Sequence, residues 1–161
     1  MCARIRPFAD EDLEDIVELS LAAWEPIFHS FERILGPEIY PIEYPDWHRS
    51  QAEVVATACQ DTDKYTVLVA EIAGTVVGFL VYELREKEAT GEVYLLAVHP
   101  DYQNQEIGTR LNLAALEAMK VAGMKLAVVG TGGEESHAAA RRSYEKSGYT
   151  PLPLVRYYKA L

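Results

Sequence analysis

Apolar residues recur at helical spacing near the start of this chain and at strand spacing through its middle. Residues 2 to 6 suit a short strand that Pro7 ends, and Asp10 offers an N-cap to an amphipathic helix carrying Leu13, Ile16, Val17, Leu19 and Leu21. This helix is expected to reach about Trp24. From Glu25 to Pro45 the chain sets Pro26, Gly36, Pro37, Pro41 and Pro45 among aromatics, which predicts helical turns and loop with only short regular pieces. Pro45 and Asp46 then open a second helix running to about Gln60. From Tyr65 the period becomes two: Thr66 to Ile72, a turn at Ala73 and Gly74, and Thr75 to Leu84 read as a hairpin. A polar turn from Arg85 to Thr90 leads to a third strand, Gly91 to His99, stopped by Pro100. Ile107, Leu111, Ala114, Ala115, Ala118, Met119 and Ala122 return to helical spacing, with Gly123 placed as a C-terminal cap. Lys125 to Gly130 predicts another strand, Ser136 to Ser147 a helix closed by Gly148, and Tyr149 to Leu161 a last extended segment or hairpin. The order predicts a mixed α/β domain with helices on both faces of one sheet.

A length of 161 residues with 49% apolar content suits one domain, residues 1–161, with one core and one active site. No window approaches the roughly 18 apolar residues of a membrane span, and Met1 to Asp10 lacks the character of a signal peptide. A soluble, cytoplasmic protein with no membrane partner is therefore expected. Cys2 and Cys59 are too few for a disulfide framework and lack zinc-ligand spacing, so two reduced thiols and no metal are expected. A formal charge of −10 argues against nucleic acid, whose phosphates need a basic surface. Residues 1 to 64 carry −9 of it and the remainder −1. Asp10, Glu11, Asp12, Glu14, Asp15 and Glu18 form either the solvated face of the first helix or a field favouring a cationic partner.

Two segments carry candidate chemistry. From Val93 to Leu111 a strand, a tight polar loop and a helix N-terminus follow in immediate succession. Unpaired N–H groups and the positive end of the helix dipole suit that junction to a phosphate or pyrophosphate, although such junctions also occur as plain connections. The second segment is His137-Ala-Ala-Ala-Arg-Arg-Ser-Tyr-Glu-Lys-Ser-Gly-Tyr149. His137 and Tyr144 lie two turns apart on one side with Ala140, which leaves room for a ligand arm or simply allows tight helix packing. Arg141 and Arg142 are either plain helix-surface residues, the reading preferred here, or within reach of a ligand's phosphates.

Together the segments resemble the GNAT superfamily, the Gcn5-related N-acetyltransferases. That family's loop, Gln/Arg-x-x-Gly-x-Gly/Ala after Val-x-Pro, is matched by Val98-His99-Pro100 and Gln103-Asn104-Gln105-Glu106-Ile107-Gly108. Its last helix, often Asn-x-x-Ala-x-x-x-Tyr-Glu-Lys-x-Gly-Phe, is matched by His137 to Tyr149. The chain departs from the pattern at Glu106, where glycine is usual, and at His137, where asparagine is common. Glu106 is expected to turn toward solvent, and His137 to serve as a polar contact like the asparagine it replaces. The resemblance implies a mostly antiparallel twisted sheet of six or seven strands. It implies acetyl-CoA as co-substrate, met by the backbone of Leu96, Ala97 and Val98, by the loop Gln103, Asn104, Gln105, Glu106, Ile107, Gly108 and Thr109, and by His137 and Tyr144. It further implies direct transfer to an amine, with no acyl group on the protein.

An amine of ordinary pKa, about 10.4, must lose a proton at neutral pH, a cost of about 4 to 5 kcal/mol. Glu92 shares simple strand parity with Tyr94, Leu96 and Val98 and matches the catalytic glutamate of the family's histone-acetyltransferase branch, so Glu92 or a water chain is the expected base. Tyr144 matches the family's general acid toward the leaving thiolate. The acceptor is expected to be a small-molecule or peptide amine, cationic if the acidic N-terminal part borders the site, with Trp24, Phe28, Phe31, Tyr40, Tyr44 and Trp47 lining it or filling the N-terminal core. A non-catalytic acyl-CoA-binding module of the same fold is the alternative. General nucleotide binding ranks last, for want of a Walker lysine and a full Gly-x-Gly-x-x-Gly set. A homodimer is compatible with all of this.

Overall fold

The computed structural model describes residues 2–161 and has the element order β1 (Arg4–Pro7), α1 (Leu13–Glu43), α2 (Trp47–Gln60), β2 (Tyr65–Ile72), β3 (Thr75–Arg85), β4 (Thr90–Val98), α3 (Ile107–Val121), β5 (Leu126–Val129) and α4 (Ala138–Lys146). The strands form one sheet in the order β1-β2-β3-β4-β5, antiparallel throughout except that β5 runs parallel to β4. Ala73 and Gly74 take positive φ, 51° and 84°, and close the β2–β3 hairpin as the sequence predicts.

Alternation along the strands divides the core in two. On one face Val67, Val69, Phe79, Val81 and Ala97 pack on Ile16 and Leu19 of α1 and Val55, Ala58 and Cys59 of α2. On the other, Ala70, Val77, Leu80 and Val93 pack on Ile107, Leu111, Ala115 and Met119 of α3. The first helix is anchored by an ion network in which Arg6 of β1 donates to both carboxylate oxygens of Asp12 and to Glu71 of β2, at 2.7 to 2.8 Å.

Three expectations need correction. The proline-rich stretch is helix, not loop, and α1 continues to Glu43 with a break at Gly36 (φ 75°, ψ 178°), a conformation nearly closed to other residues. Pro37 restarts the helix where its missing N–H costs nothing, and Pro26 forfeits one backbone bond that tertiary packing outweighs. The first helical turn is capped at Ala9, whose N–H donates to Asp12 Oδ2, so Asp12 rather than Asp10 secures the start. Among the described residues the sheet has five strands, not six or seven, because residues 147–161 form no regular element. Pro151 and Pro153 remove backbone donors where pairing would begin, leaving Leu152, Leu154, Val155 and Tyr157 exposed. This tail sets Tyr158 against Tyr44; burial, then that hydrogen bond, push the Tyr44 phenol up to about 12.

Candidate active site

Pairing between β4 and β5 runs only from Thr90↔Leu126 to Val93↔Val129. There β4 also bulges. Val81 faces Leu95 but Tyr82 faces Val93, so Tyr94 is an extra residue in the ladder. Beyond it, β4 is paired to β3 alone and its other edge is open. The bulge reverses strand parity: Leu95 packs on the α1–α2 side with Ala97, Leu96 and Val98 pack on the α3 side, and Tyr94 stacks on Tyr65 at 5.0 Å.

The open edge forms one wall of a cavity of about 710 Å³. Leu96, Ala97 and Val98 line it from the strand; Gln103, Asn104, Glu106, Ile107, Gly108 and Thr109 line it from the loop and the first turn of α3. His137, Ala140 and Tyr144 close the far side, and Trp24 and Ile27 of α1 cover the end toward the first core. The Gln103 side-chain amide donates to the Val98 carbonyl at 3.1 Å and fixes the loop to the strand end. Asn104 and Glu106 both adopt φ 60°, which alternates the backbone and suits a nest of N–H groups ahead of the helix N-terminus. Gly108 lets α4 approach, since a Cβ there would lie 3.4 Å from Ser143 Oγ, and Thr109 Oγ1 meets the same hydroxyl at 3.3 Å. Glu106 turns outward: its side chain is 68% exposed and lies 3.3 Å from Lys146 Nζ. Its left-handed φ explains why glycine would suit the position.

Tyr144 is half-buried against Tyr149, rings 5.8 Å apart, and burial raises its phenol well above the ordinary value, with Tyr149 adding to the effect. It is therefore protonated across the neutral range. Glu92 stands elsewhere. Because of the bulge it faces the α1–α2 side, opposite Glu83 and in line with Tyr65, and its carboxylate is paired with Arg85. Glu92 and the exposed Gln105 are outside the cavity lining. Of the expected aromatic wall, Trp24 lines the cavity, while Phe28 stacks on Trp47 at 4.5 Å and Phe31 on Tyr44 at 5.5 Å. None of the six carboxylates from Asp10 to Glu18 borders it.

Sequence reasoning set aside or passed over four contributors. Arg142 and Lys146 line the cavity and bring positive charge near the loop. Arg141 donates from Nη1 to the carbonyls of Gly132 and Glu134, both at 2.7 Å, and so shapes the connection from β5 to α4. Glu134 bonds His137 and accepts from Ser136 Oγ at 2.8 Å. Only the glycine run Gly130-Thr131-Gly132-Gly133 hinted that this connection makes an unusual turn.

An open strand edge, a helix N-terminus behind a nest-like loop and a tyrosine opposite them share one cavity, and comparison with known proteins gives the family. The chain matches the model of the acetyltransferase (GNAT) family over residues 22–149, and it belongs to that family. It is 37% identical over 70 residues to a mycothiol acetyltransferase of Beutenbergia cavernae, covering 44% of this chain and 23% of that protein. It spans between 23% and 58% of the lengths of the curated relatives it matches. Among solved structures it resembles the PaiA N-acetyltransferase of Thermoplasma acidophilum in complex with coenzyme A, with a TM-score of 0.75, 21% identity and coverage of 93% and 91% of the two chains. It likewise resembles an aminoglycoside acetyltransferase from an uncultured soil sample in complex with sisomicin, with a TM-score of 0.64, 20% identity and coverage of 99% and 96%. These likenesses show the GNAT fold.

Proposed function

We propose that the protein transfers an acetyl group from acetyl-CoA directly to a primary amine. The observation that carries this reading is the convergence on one cavity of the open β4 edge past Val93, the loop before α3, and Tyr144. Acetyl-CoA supplies an acetyl group activated as a thioester. The donor set fits it: backbone groups from Leu96 to Val98 can pair an extended amide-bearing arm, the loop N–H groups with Arg142 and Lys146 suit phosphates, and the volume lies in the range of small-ligand sites. Tyr144, which lines the cavity and stays protonated at neutral pH, serves as general acid toward the departing sulfur. With Glu92 held by Arg85 outside the lining, the proton of the acceptor must leave through another group or through water.

The acceptor enters from the side of Trp24, Ile27 and Tyr94, surfaces suited to the apolar body of an amine. The acidic face of α1 lies away from the cavity, so its contribution to cationic acceptors is through-space and screened by salt. Calorimetry with acetyl-CoA, followed by thiol release across polyamines, aminoglycosides, neutral arylalkylamines and peptide amines at several salt concentrations, tests the reading. Binding with release on at least one amine supports it; binding with no release on any would leave a non-catalytic module. Equal rates on cationic and neutral amines at all salt concentrations would remove the electrostatic preference.

A further inference from the structure

The turn that carries β5 into α4 is built around one side-chain pair. Glu134 holds Nδ1 of His137, and the two side chains are only 18% and 14% exposed. Ser136 donates to the same carboxylate oxygen at 2.8 Å. Burial opposes ionisation of Glu134, but the hydrogen bonds from Ser136, from its own backbone and from His137 together hold its carboxyl below the ordinary value. The pair fits because residue 132 is glycine: a Cβ there would overlap both Glu134 Oε2 and His137 Nδ1. Arg141 clamps the backbone around it through the carbonyls of Gly132 and Glu134. On the other side the Phe31 ring of α1 lies 6.0 Å from the imidazole. His137 thus lines the cavity shared by Tyr144 and Trp24, in a setting much more constrained than a polar contact to a cofactor arm requires.

We propose that His137, oriented by Glu134, is the base that removes the proton from the acceptor amine. This rests on the acetyl-transfer reading and deepens it. A carboxylate on Nδ1 fixes the tautomer, leaves Nε2 to accept a proton and stabilises the imidazolium that results. His137 takes one proton from the ammonium form of the acceptor. The amine lone pair then forms the C–N bond to the acetyl carbon as the C–S bond breaks. Tyr144 gives its proton to the sulfur and regains one from the new amide nitrogen, and His137 releases its proton to solvent. One acetyl group moves and one proton is released per turnover. The titratable groups that share the cavity with the imidazole are Tyr144, Arg142 and Lys146 of α4, Tyr94 of β4, and Tyr102 and Glu106 of the loop; α1 presents the Phe31 ring.

The experiment measures thiol release against pH, with the best amine of the panel above, for the wild-type protein, His137→Gln and Glu134→Gln. At neutral pH His137→Gln is expected to lose about 10²-fold or more in kcat/KM for the amine, with acetyl-CoA affinity within twofold, and to regain rate as pH approaches the amine's own pKa. Glu134→Gln is expected to lose about 10-fold in kcat/KM for the amine, less than His137→Gln, with acetyl-CoA affinity kept. In parallel, spectra of ¹⁵N-labelled imidazole in the CoA-loaded protein are expected to show the neutral ring protonated on Nδ1, and less exclusively so in Glu134→Gln. A wild-type rate and profile in folded His137→Gln would overturn the assignment while leaving acetyl transfer intact. So would a neutral ring protonated on Nε2. No release by the wild-type protein on any amine would remove the transfer reading itself, and this proposal with it.

Discussion

Thr90–Val93 and Tyr94–Val98 are halves of one strand with opposite surroundings. The first half is paired on both sides, to β3 and to β5, and its small residues serve packing: Gly91 lies directly under Met119. The second half begins at the bulge, is paired to β3 alone, and turns its other edge to the cavity. One extra residue, Tyr94, therefore separates a segment paired on both sides from one whose free edge lines the cavity. It also sends Glu92 and Leu96 to opposite faces, which simple alternation along the strand would have kept together. Changes near the two halves should accordingly differ in kind: loss of chemistry or ligand on one side, loss of stability on the other.

The largest effect is expected on the cavity side. Tyr144→Phe should lower kcat by about 10²- to 10³-fold, equivalent to about 3 to 4 kcal/mol of transition-state stabilisation, while the urea midpoint and acetyl-CoA affinity stay close to wild type. A fall in stability matching the fall in rate would mean that the phenol is structural and that the contrast is misdrawn. Next comes the paired half. In Gly91→Val the new Cβ would stand 2.5 Å from Met119 Sδ and 2.6 Å from Cγ, in a core where Met119 is 2% exposed. Overpacking of this kind should cost about 2 to 3 kcal/mol in urea unfolding, with the folded protein binding acetyl-CoA within twofold of wild type. Weakened binding without loss of stability would show that the two halves are not separable.

A third change lies at the far edge of the sheet and acts as a control on both halves. The Arg6 hydrogen bonds are the main reason that the Asp12 carboxyl sits below its ordinary value, outweighing burial, with the Ala9 N–H assisting. A folded-state pKa below the unfolded one stabilises the protein above the unfolded value, about 3.9, and the gain is lost as pH falls through the folded value. Asp12→Asn should therefore cost about 1 to 2 kcal/mol at neutral pH and flatten the stability curve below about pH 4, with acetyl-CoA affinity unchanged. A curve that still falls as steeply would assign the acid limb to other carboxylates.

Elements with a strong period were legible in the sequence. The β-branched runs from Thr66 to His99 and the spacing from Ile107 to Ala122 give β2, β3, β4 and α3 nearly to the residue, because the central strands are buried on both faces and α3 buries one regular face. The helix beyond Trp24 was not legible. Proline count argues for loop, whereas Pro37 stands where a helix restarts and Pro26 costs a single bond. The site divides the same way. Backbone features, the loop and the N-terminus of α3, follow from local pattern; side-chain alliances do not. That Glu92 meets Arg85, or that Glu134 turns back onto His137, depends on the register set by the β3–β4 turn and on a glycine turn, whose conformations leave no periodic trace.

The smallest effect tests the seam itself, the loop that joins the open half of β4 to α3. Glu106 holds φ 60° and ψ 12°, a conformation that costs an L-residue about 1 kcal/mol and glycine almost nothing. In Glu106→Gly the relief is offset by the greater freedom glycine has in the unfolded chain, and the ion pair lost to Lys146 is mostly exposed and contributes little. Stability should thus move by less than about 0.5 kcal/mol. If the loop meets the CoA phosphates as proposed, affinity should be unchanged or up to about threefold tighter, more so at low salt, because a negative charge leaves its edge while the backbone N–H groups remain. Calorimetry at two salt concentrations measures both. A clear loss of affinity would mean that the Glu106 side chain, and not the loop backbone, meets the ligand, and that the binding half of β4 ends before this loop.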